Sequence, residues 1–250
     1  MSEAVFEFPL KEKVRNYLRI EQLLVQLKTG ACVQTAPLHM YFFDQLFTLL
    51  DLLDRLDLRT DILKDLDTHE RSLVYWSQHP NINSAALEQA LQNILRLRTK
   101  LKNGKKFGSD LKDDKFLGSI RQRFAIPGGA CSFDLPNLHF WLHQPLAERQ
   151  EAIDNWLASL AVLEEAISIS LAFLRERGTF QKQTAQNGFY QGVAEDKNEL
   201  IRVRCQIDTG QYPNLSGNKY RYAIRFMWFD TQQPQNGSVD TDVTFSLAAC

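Results

Sequence analysis

The spacing of the hydrophobic residues changes once along this chain, near Gly178, and that change limits the folds available to it. Before Gly178, apolar residues recur at helical spacing, as Val14 and Tyr17 do. After it, apolar and polar residues alternate, which is typical of strands with one buried face. Helices followed by strands predict an α+β protein, with a helical domain over 1–178 and a smaller antiparallel β domain over 179–250.

Proline, serine and glycine residues divide the helical part into six predicted helices. These run from Pro9 to Gly30, from about Leu38 to Leu56, from Thr60 to 79–81, from Ser84 as the cap to Gly104, from Asp113 to about Phe124, and from Pro145 to Gly178. The last pattern is long enough to leave open a break into two helices near Ser159.

Strand signals follow Gly178. Asn187-Gly188 favours a tight primed turn, so the segments on either side of it predict a β-hairpin. The apolar faces of the next two predicted strands consist of Ile201, Val203, Cys205 and Ile207, and of Tyr220, Tyr222, Ile224, Phe226 and Trp228. Arg221 and Arg225 fall on the opposite face of the second of these strands. Another Asn-Gly pair, at 236–237, precedes a predicted last strand at 242–249.

The segment IPGGACSFDLPNLHFWLH, at 126–143, contains residue types that are found in hydrolytic sites. Cys131 could act as a nucleophile with His139 as its base. A nucleophile elbow, however, requires GxSxG between a strand and a helix, whereas Cys131 follows a helix and a Pro-Gly-Gly turn. We therefore expect no catalytic residue, and we predict a tight loop in which Cys131 and Phe133 are buried.

The same segment has two histidines at the spacing of a zinc site, His139 and His143. The HExxH pattern requires a glutamate after the first histidine, and Phe140 stands there. We expect no metal and no cofactor, and we predict instead a short helix that starts near Pro136 and turns a histidine outward.

The cysteine pattern and the apolar segments indicate a cytoplasmic protein. Cys32, Cys131, Cys205 and Cys250 form no CxxC pair, which favours reduced thiols. The first residues lack the apolar run of a signal peptide, and no stretch approaches the ~20 apolar residues that cross a bilayer. We expect no membrane partner.

The net charge of −1 hides two segments of opposite charge. Eight acidic and three basic residues lie between Asp44 and Glu70, whereas ten basic and three acidic residues lie between Arg96 and Arg123. The basic segment could follow a phosphate backbone, which makes a basic-surface nucleic-acid-binding protein the alternative function. That alternative is less favoured, because the sequence has no zinc knuckle, no RNP-like motif and no long basic tail.

Basic stripes beside apolar residues favour a peptide partner instead. Lys11, Arg15 and Arg19 recur every four residues along the first helix, and Arg221 and Arg225 share a strand face with apolar side chains. Such surfaces suit a short acidic and apolar peptide better than a uniform polyphosphate.

Several word-like motifs resemble the ZapD family of bacterial division-ring accessory proteins. They are FEFPLKEKVRNYLRIEQLL near the N-terminus, RQRFAIPGGACSFDLPNLHFWLH in the middle, and FQKQTAQNGFYQ followed by YPNLSGNKYRYAIRFM in the last third. The resemblance implies a symmetric homodimer with a non-enzymatic role at the mid-cell division ring. Each protomer would bind the C-terminal tail of FtsZ, a tubulin-like GTPase, and the dimer would crosslink FtsZ filaments into bundles.

The resemblance also implies which residues contact the tail. They are the basic residues Arg19, Lys115, His139, Arg55, Arg221 and Arg225. The family pattern has arginine at the position of Lys115, and lysine keeps the charge but loses the bidentate fork. The helical domain would then carry the dimer contacts and part of the tail-binding surface.

Overall fold

The computed structural model describes residues 2–32, 35–77, 84–229 and 237–250, which divide between two units. The helical unit consists of Arg19–Ser170, and the β unit consists of Met1–Leu18 and Leu171–Cys250. One strand, Glu3–Pro9, precedes the helices, and the other antiparallel strands follow them, so the predicted α+β class is confirmed. The first eighteen residues, which helical periodicity joined to the helices, belong to the β unit.

The described helices match most of the predicted ones. They are α1 (Glu12–Cys32), α2 (Ala36–Asp54), α3 (Leu58–Trp76), α4 (Ser84–Asn103), α5 (Ser109–Asp113), α6 (Lys115–Phe124), α7 (Pro136–Leu142) and α8 (Leu146–Glu176). Helix α8 is continuous through Ser159. Ser84 is the first residue of α4 rather than its cap, and the predicted end of the third helix at 79–81 lies outside the described residues.

The predicted fifth helix is two helices, because the backbone of Asp114 is extended. Asp114 ends α5 and caps α6, where its Oδ1 accepts a hydrogen bond from the backbone N–H of Leu117 at 2.9 Å. Its Oδ2 accepts another from Trp156 Nε1 of α8 at 3.0 Å. One carboxylate therefore fixes both the start of α6 and its position against α8.

An aromatic cluster forms the centre of the helical unit. Phe43 is fully buried, and its ring lies 5.2 Å from that of Trp141 and 5.7 Å from that of Trp156, measured between centroids. The other rings around Phe43 belong to Phe42, Phe47, Phe116 and Phe124. Side chains from α2, α6, α7 and α8 thus meet at one residue, and edge-to-face pairs of this kind add to the burial energy.

Helix α8 is long and apolar enough to cross a membrane, contrary to the expectation that no stretch approaches this. Its most apolar window has a mean hydropathy of 1.8, and the core helices of soluble proteins also meet this criterion. Glu164 and Glu165 lie near its middle. Glu164 pairs with Lys28 of α1, and Glu165 pairs with Arg96 and Lys100 of α4. These pairs favour a helix packed among other helices.

A buried histidine joins the beginnings of α2 and α8. His39 is 1% exposed, and its Nδ1 lies 3.0 Å from Nη1 of Arg149. Because the guanidinium can only donate, Nδ1 accepts and the ring is neutral. Nε2 of His39 has no hydrogen-bond partner among the described residues. Burial, and then the charge of Arg149, lower the pKa of His39 below its usual 6.5.

This histidine should make the stability of the helical unit depend on pH. The unfolded chain binds a proton at His39 near pH ~6.5, whereas the folded unit resists it, so the free energy of unfolding should fall as the pH drops through that value. His39→Gln should reduce the difference in unfolding free energy between about pH 7.5 and about pH 5, measured by urea titration. His143→Gln, at an exposed histidine, is the control; equal pH dependence in all three proteins would contradict this role of His39.

The β unit has two antiparallel sheets in its described residues. The strands are β1 (Glu3–Pro9), β2 (Gln181–Ala185), β3 (Phe189–Val193), β4 (Leu200–Gln206), β5 (Gln211–Gly217), β6 (Arg221–Trp228) and β7 (Val243–Ala249). Sheet A has the order β1-β4-β7-β2, and sheet B has the order β3-β6-β5. The sequence patterns did not predict β1 or β5.

Side chains from both sheets form the core of the β unit. Ile201, Val203 and Cys205 are buried on β4, as predicted, whereas Ile207 lies beyond the strand and is half-exposed. From sheet B, the core receives Tyr222, Ile224 and Phe226, while Tyr220 and Trp228 are more exposed than predicted. Phe226 meets Phe245 of sheet A with ring centroids 5.3 Å apart.

The predicted turn at Asn187-Gly188 is confirmed, but the hairpin is not. Both residues have positive φ, 48° and 69°, as a type I′ turn requires. The pairing between the flanking segments is limited, in the described part of the chain, to one bridge between Gln186 and Phe189. Strand β2 then pairs with β7 and strand β3 with β6, so the turn passes the chain from sheet A to sheet B.

Candidate partner-binding surface

Lys115 is the first residue of α6 and is exposed. The preceding residue, Asp114, is held by its bonds to Leu117 and Trp156, so the backbone that carries Lys115 is fixed. Lys115 forms no ion pair within the described part of the chain. Its ammonium group is therefore available to a partner.

His139 lies on the exposed face of α7. Pro136 starts this helix, and Leu138 and Trp141 turn inward. The ring of His139 stands 4.5 Å from that of His143, whose Nδ1 hydrogen-bonds the carbonyl oxygen of His139 at 2.8 Å. Both histidines are exposed, and among the described residues no group of three His, Cys, Asp or Glu side chains is placed to hold a metal ion.

The loop before α7 differs from the prediction. Cys131 and Phe133 were expected to be buried, but Cys131 is exposed and Phe133 is 81% exposed. The thiol of Cys131 donates to the carbonyl oxygen of Gly128 at 2.8 Å, so a local turn holds it. Phe140, next to His139, is also largely exposed. The rings that pack against α7 belong instead to Phe43 and Phe116, which both contact Trp141.

Lys115 and His139 are brought into one region by the contact between α6 and α7. The rings of Phe116 and Trp141, each within two residues of Lys115 or His139, have centroids 5.8 Å apart. Nδ2 of Asn137 donates to Oγ of Ser119 at 2.7 Å, which adds a second link between the helices. We name the exposed residues Lys115, His139 and Phe140 the α6–α7 surface.

Arg55 ends α2 and is exposed. The residue before it, Asp54, accepts a hydrogen bond from Lys112 and lies 3.6 Å from Arg121 of α6. The bond from Lys112 is the main cause that lowers the pKa of Asp54, so this carboxylate stays charged. Arg55 itself forms no ion pair among the described residues, and α5 and α6 lie beside the end of its helix.

Arg19 lies on α1 and is exposed. It belongs to the predicted basic stripe, but Lys11 lies 3.7 Å from Glu199 and Arg15 lies 3.1 Å from Glu12. Of the three, Arg19 alone has no acidic partner within the described residues. No described contact links Arg19 to the α6–α7 surface.

Arg221 and Arg225 share the outer face of sheet B. The register places Val193 opposite Arg221 and Phe189 opposite Arg225. The guanidinium of Arg225 lies 5.1 Å from the centroid of the Phe189 ring, a cation–π contact that orients it. Neither arginine has an acidic partner among the described residues. We name these four residues the arginine face.

Sequence reasoning missed the apolar half of the arginine face. Val193 is 81% exposed and Phe189 is 38% exposed. The alternation of FYQGV could have placed both on one side of a strand, but only the pairing of β3 with β6 sets them beside the arginines. The two apolar side chains thus lie beside two arginines that have no acidic partner among the described residues.

The basic segment at 96–123 is mostly neutralised by ion pairs in the helical unit. Arg98 pairs with Asp67 at 2.8 Å and with Glu70, and Arg121 pairs with Asp51. The other basic residues of the segment that form described ion pairs are Arg96, Lys100, Lys105, Lys106, Lys112 and Arg123. Acidic side chains therefore compensate most of the excess of positive charge seen in the sequence.

The helical unit and the β unit each carry exposed basic residues beside exposed apolar groups. The family model of the cell division protein ZapD matches residues 18–225 of this chain. Three proteins named "Cell division protein ZapD", from Shigella dysenteriae serotype 1 (strain Sd197), Escherichia coli (strain K12) and Escherichia coli O9:H4 (strain HS), are each 39% identical to it over 249 residues. Each match covers 100% of this chain and 99% of the relative. The chain belongs to the ZapD family and has a role in cell division.

Proposed function

We propose that this protein binds the acidic C-terminal tail of FtsZ and, as a homodimer, crosslinks FtsZ filaments at the mid-cell division ring in the cytoplasm. The observation that carries the proposal is the arginine face, where two arginines without an acidic partner among the described residues lie beside exposed Phe189 and Val193. Membership of the ZapD family supports the cell-division role. The proposed action is binding alone, with no catalytic step, metal or cofactor.

The geometry of the arginine face fits an extended peptide. Arg221 and Arg225 are four residues apart on one strand, so their Cα atoms are separated by roughly 13 Å. Two carboxylates about four residues apart on an extended tail could reach both guanidinium groups. Apolar side chains of the tail would cover Phe189 and Val193, which a bare polyphosphate could not do.

The helical unit supplies further contacts in this proposal. Lys115 and His139 form a second small basic and apolar surface with Phe140, while Arg55 and Arg19 contribute exposed guanidinium groups. The ring nitrogens of His139 could donate a hydrogen bond to the tail or accept one from it. Each unit therefore offers tail contacts of its own.

Dimerisation would allow two weak tail contacts to crosslink two filaments. A single tail contact on a charged and shallow surface would have a micromolar dissociation constant, which corresponds to a binding free energy of ~8 kcal/mol. Tails repeat along a filament, so two contacts on one dimer could raise the apparent affinity ~100-fold. A monomer would bind along one filament, whereas a dimer can join two.

Sedimentation with full-length and tail-deleted FtsZ tests the proposal. Full-length filaments should pellet at low speed when this protein is added, because bundles are heavier than single filaments. Tail-deleted filaments should stay in the supernatant and should not carry this protein with them in a high-speed spin. Equal bundling of both forms would overturn the proposal.

The mass in solution tests the dimer separately. At micromolar concentration the protein should have the mass of a dimer, and reductant should leave that mass unchanged, because the proposed dimer contacts are non-covalent. Cys32 and Cys131 are exposed, whereas Cys205 and Cys250 are buried. Burial is the main cause that raises the pKa of each of the two buried thiols, which keeps them unreactive. A monomer, or a dimer that disappears with reductant, would contradict this prediction.

Nucleic-acid binding is the second candidate, and its main support was the basic segment. Ion pairs neutralise most of that segment. On β4, Arg202 bonds Glu7 at 2.9 Å and Arg204 covers the ring of Phe180 at 4.0 Å, so these strand arginines are engaged as well. Tighter binding of duplex DNA than of the tail peptide at physiological salt, with a steep salt dependence, would favour this candidate instead.

A further inference from the structure

A cleft in the helical unit gathers cations beside the loop that joins α4 to α5. Its basic compartment, of about 320 Å³, is lined by Arg59, Lys100, Lys105 and Lys106, and the carboxylate in the lining is that of Asp110. Lys100 lies in the last turn of α4, Lys105 and Lys106 follow the end of that helix, and Arg59 lies in the first turn of α3. The lining therefore has an excess of positive charge.

A second, apolar compartment of about 280 Å³ adjoins the first. Leu53, Leu56 and Leu58 line it together with Asp57, and Arg59, Lys106 and Phe107 line both compartments. Together the compartments have the size of ordinary small-molecule sites, which are largely apolar with a few convergent polar groups. The cleft thus has one end suited to an anion and one end suited to a ring.

The loop that separates the compartments is held in place. Arg59 donates to the backbone carbonyl of Lys105, and the N–H of Ser109 donates to the carbonyl of Lys106 at 3.1 Å. Gly108 has a φ of 75°, a conformation that glycine adopts without strain. The hydroxyl oxygen of Ser109 is buried and has no hydrogen-bond partner among the described residues, although Ser109 lines the basic compartment.

The cations of the cleft are only partly compensated. Lys105 lies 2.8 Å from Asp110, but Lys100 lies 3.4 Å from Glu165 and Lys106 lies 4.0 Å from Asp54. Both of those acids have other cationic partners, and Arg59 has no carboxylate partner among the described residues. An anion that entered the cleft would replace weak contacts with short ones.

We propose that this cleft binds a nucleoside phosphate, a function separate from binding of the FtsZ tail. The phosphates occupy the basic compartment, where Arg59, Lys100, Lys105 and Lys106 neutralise them and Ser109 donates its hydroxyl hydrogen. The base lies in the apolar compartment against Phe107 and Leu56. Several converging cations and a hydroxyl suit the multiple oxygens of a phosphate chain better than a single carboxylate.

Calorimetric titration of the purified protein with ATP and GTP, in the absence of FtsZ, tests this proposal. At least one nucleotide should bind saturably, pyrophosphate should bind more weakly, and adenosine should show no measurable binding. Lys106→Glu should weaken nucleotide binding by about tenfold or more, because it reverses a charge that lines both compartments. Lys106 is exposed and has only a 4.0 Å ion pair, so this change should not unfold the helices.

Lys64→Glu is the matched control, since Lys64 is an exposed cation on α3 outside the cleft. Its nucleotide affinity should equal that of the wild type. No binding of either nucleotide at millimolar concentration, or equal affinities of Lys106→Glu and Lys64→Glu, would overturn the proposal. Pyrophosphate binding as tight as that of the nucleotides would overturn the assignment of the apolar compartment to a base.

Discussion

Replacing both Arg221 and Arg225 by glutamate should abolish binding of the FtsZ tail and bundling of FtsZ filaments. Both side chains are exposed on β6 and lack acidic partners among the described residues, so reversal converts attraction into repulsion without removing an internal contact other than the one with Phe189. The folding cost should stay within about 0.5 kcal/mol per site. Fluorescence anisotropy of a labelled tail peptide measures the loss, and thermal unfolding checks the fold.

Two further measurements make this prediction specific. Lys182→Glu on β2 changes an exposed cation of sheet A and should leave tail affinity unchanged. Raising the salt concentration should weaken tail binding by the wild-type protein, because exposed charges are screened over ~8–10 Å. A folded double variant that still binds the tail with wild-type affinity would show that the arginine face is not the tail site.

The apolar part of the arginine face can be separated from its charge. Val193→Ser removes an exposed apolar group and should lower the affinity for the tail peptide. The salt dependence of binding should stay the same, because no charge is altered. The change in affinity should be smaller than that of the double arginine variant. This comparison distinguishes an apolar and acidic tail from a purely ionic partner.

Phe43→Ala should cause the largest loss of stability, about 3–5 kcal/mol for the helical unit. Phe43 is fully buried and meets rings from α2, α6, α7 and α8, so its loss leaves a cavity that rigid neighbours cannot fill. The contact of α6 with α7 depends on the same cluster, so binding through the α6–α7 surface should also weaken. Urea unfolding followed by tryptophan fluorescence measures the change, because Trp141 and Trp156 lie in the cluster.

Val74→Ala is the control for Phe43→Ala, because Val74 is an exposed apolar residue on α3. It should change the free energy of unfolding by less than about 0.5 kcal/mol. A loss below about 1 kcal/mol for Phe43→Ala would contradict the assignment of this cluster as the centre of the unit. Phe43→Leu should fall between the two, since it leaves a smaller cavity.

Local signals were sufficient where neighbours along the chain determine the structure. The alternation in β4 correctly placed Ile201, Val203 and Cys205 inside, because successive side chains of a strand point to opposite faces. The Asn187-Gly188 turn followed from two residues that tolerate positive φ. The helix of Pro136–Leu142 also followed from its starting proline.

Strands without a strong pattern were missed because their partners are distant. Strand β1 pairs with β4, almost two hundred residues later, with Glu7 opposite Arg202. Glu7 also bonds Arg175 at 2.7 Å, and nothing in its own neighbourhood predicts that contact. Strand β5 contains Pro213, which argues against a strand unless the residue lies on an edge, and β5 is the edge of sheet B.

The same limit applies to the proposed tail-binding surface. Six basic positions came from resemblance to the ZapD family, and their contact with a tail stays a prediction. Their sequence neighbourhoods do not distinguish Lys115 from Lys112, since both lie in the basic segment. Only the folded chain shows that Lys112 is engaged by Asp54 whereas Lys115 is left exposed at the start of α6.

By itself, the sequence determined the α+β class, most helices and the buried faces of β4 and β6, because these depend on residues within a few positions of one another. It also determined the family, through motifs along the chain. The tertiary structure alone decided that β2 and β3 join different sheets, that Phe133 is exposed, and that most basic residues at 96–123 form ion pairs. The physical reason is that pairing, burial and charge compensation are interactions between distant residues, and only folding brings their side chains within a few ångströms.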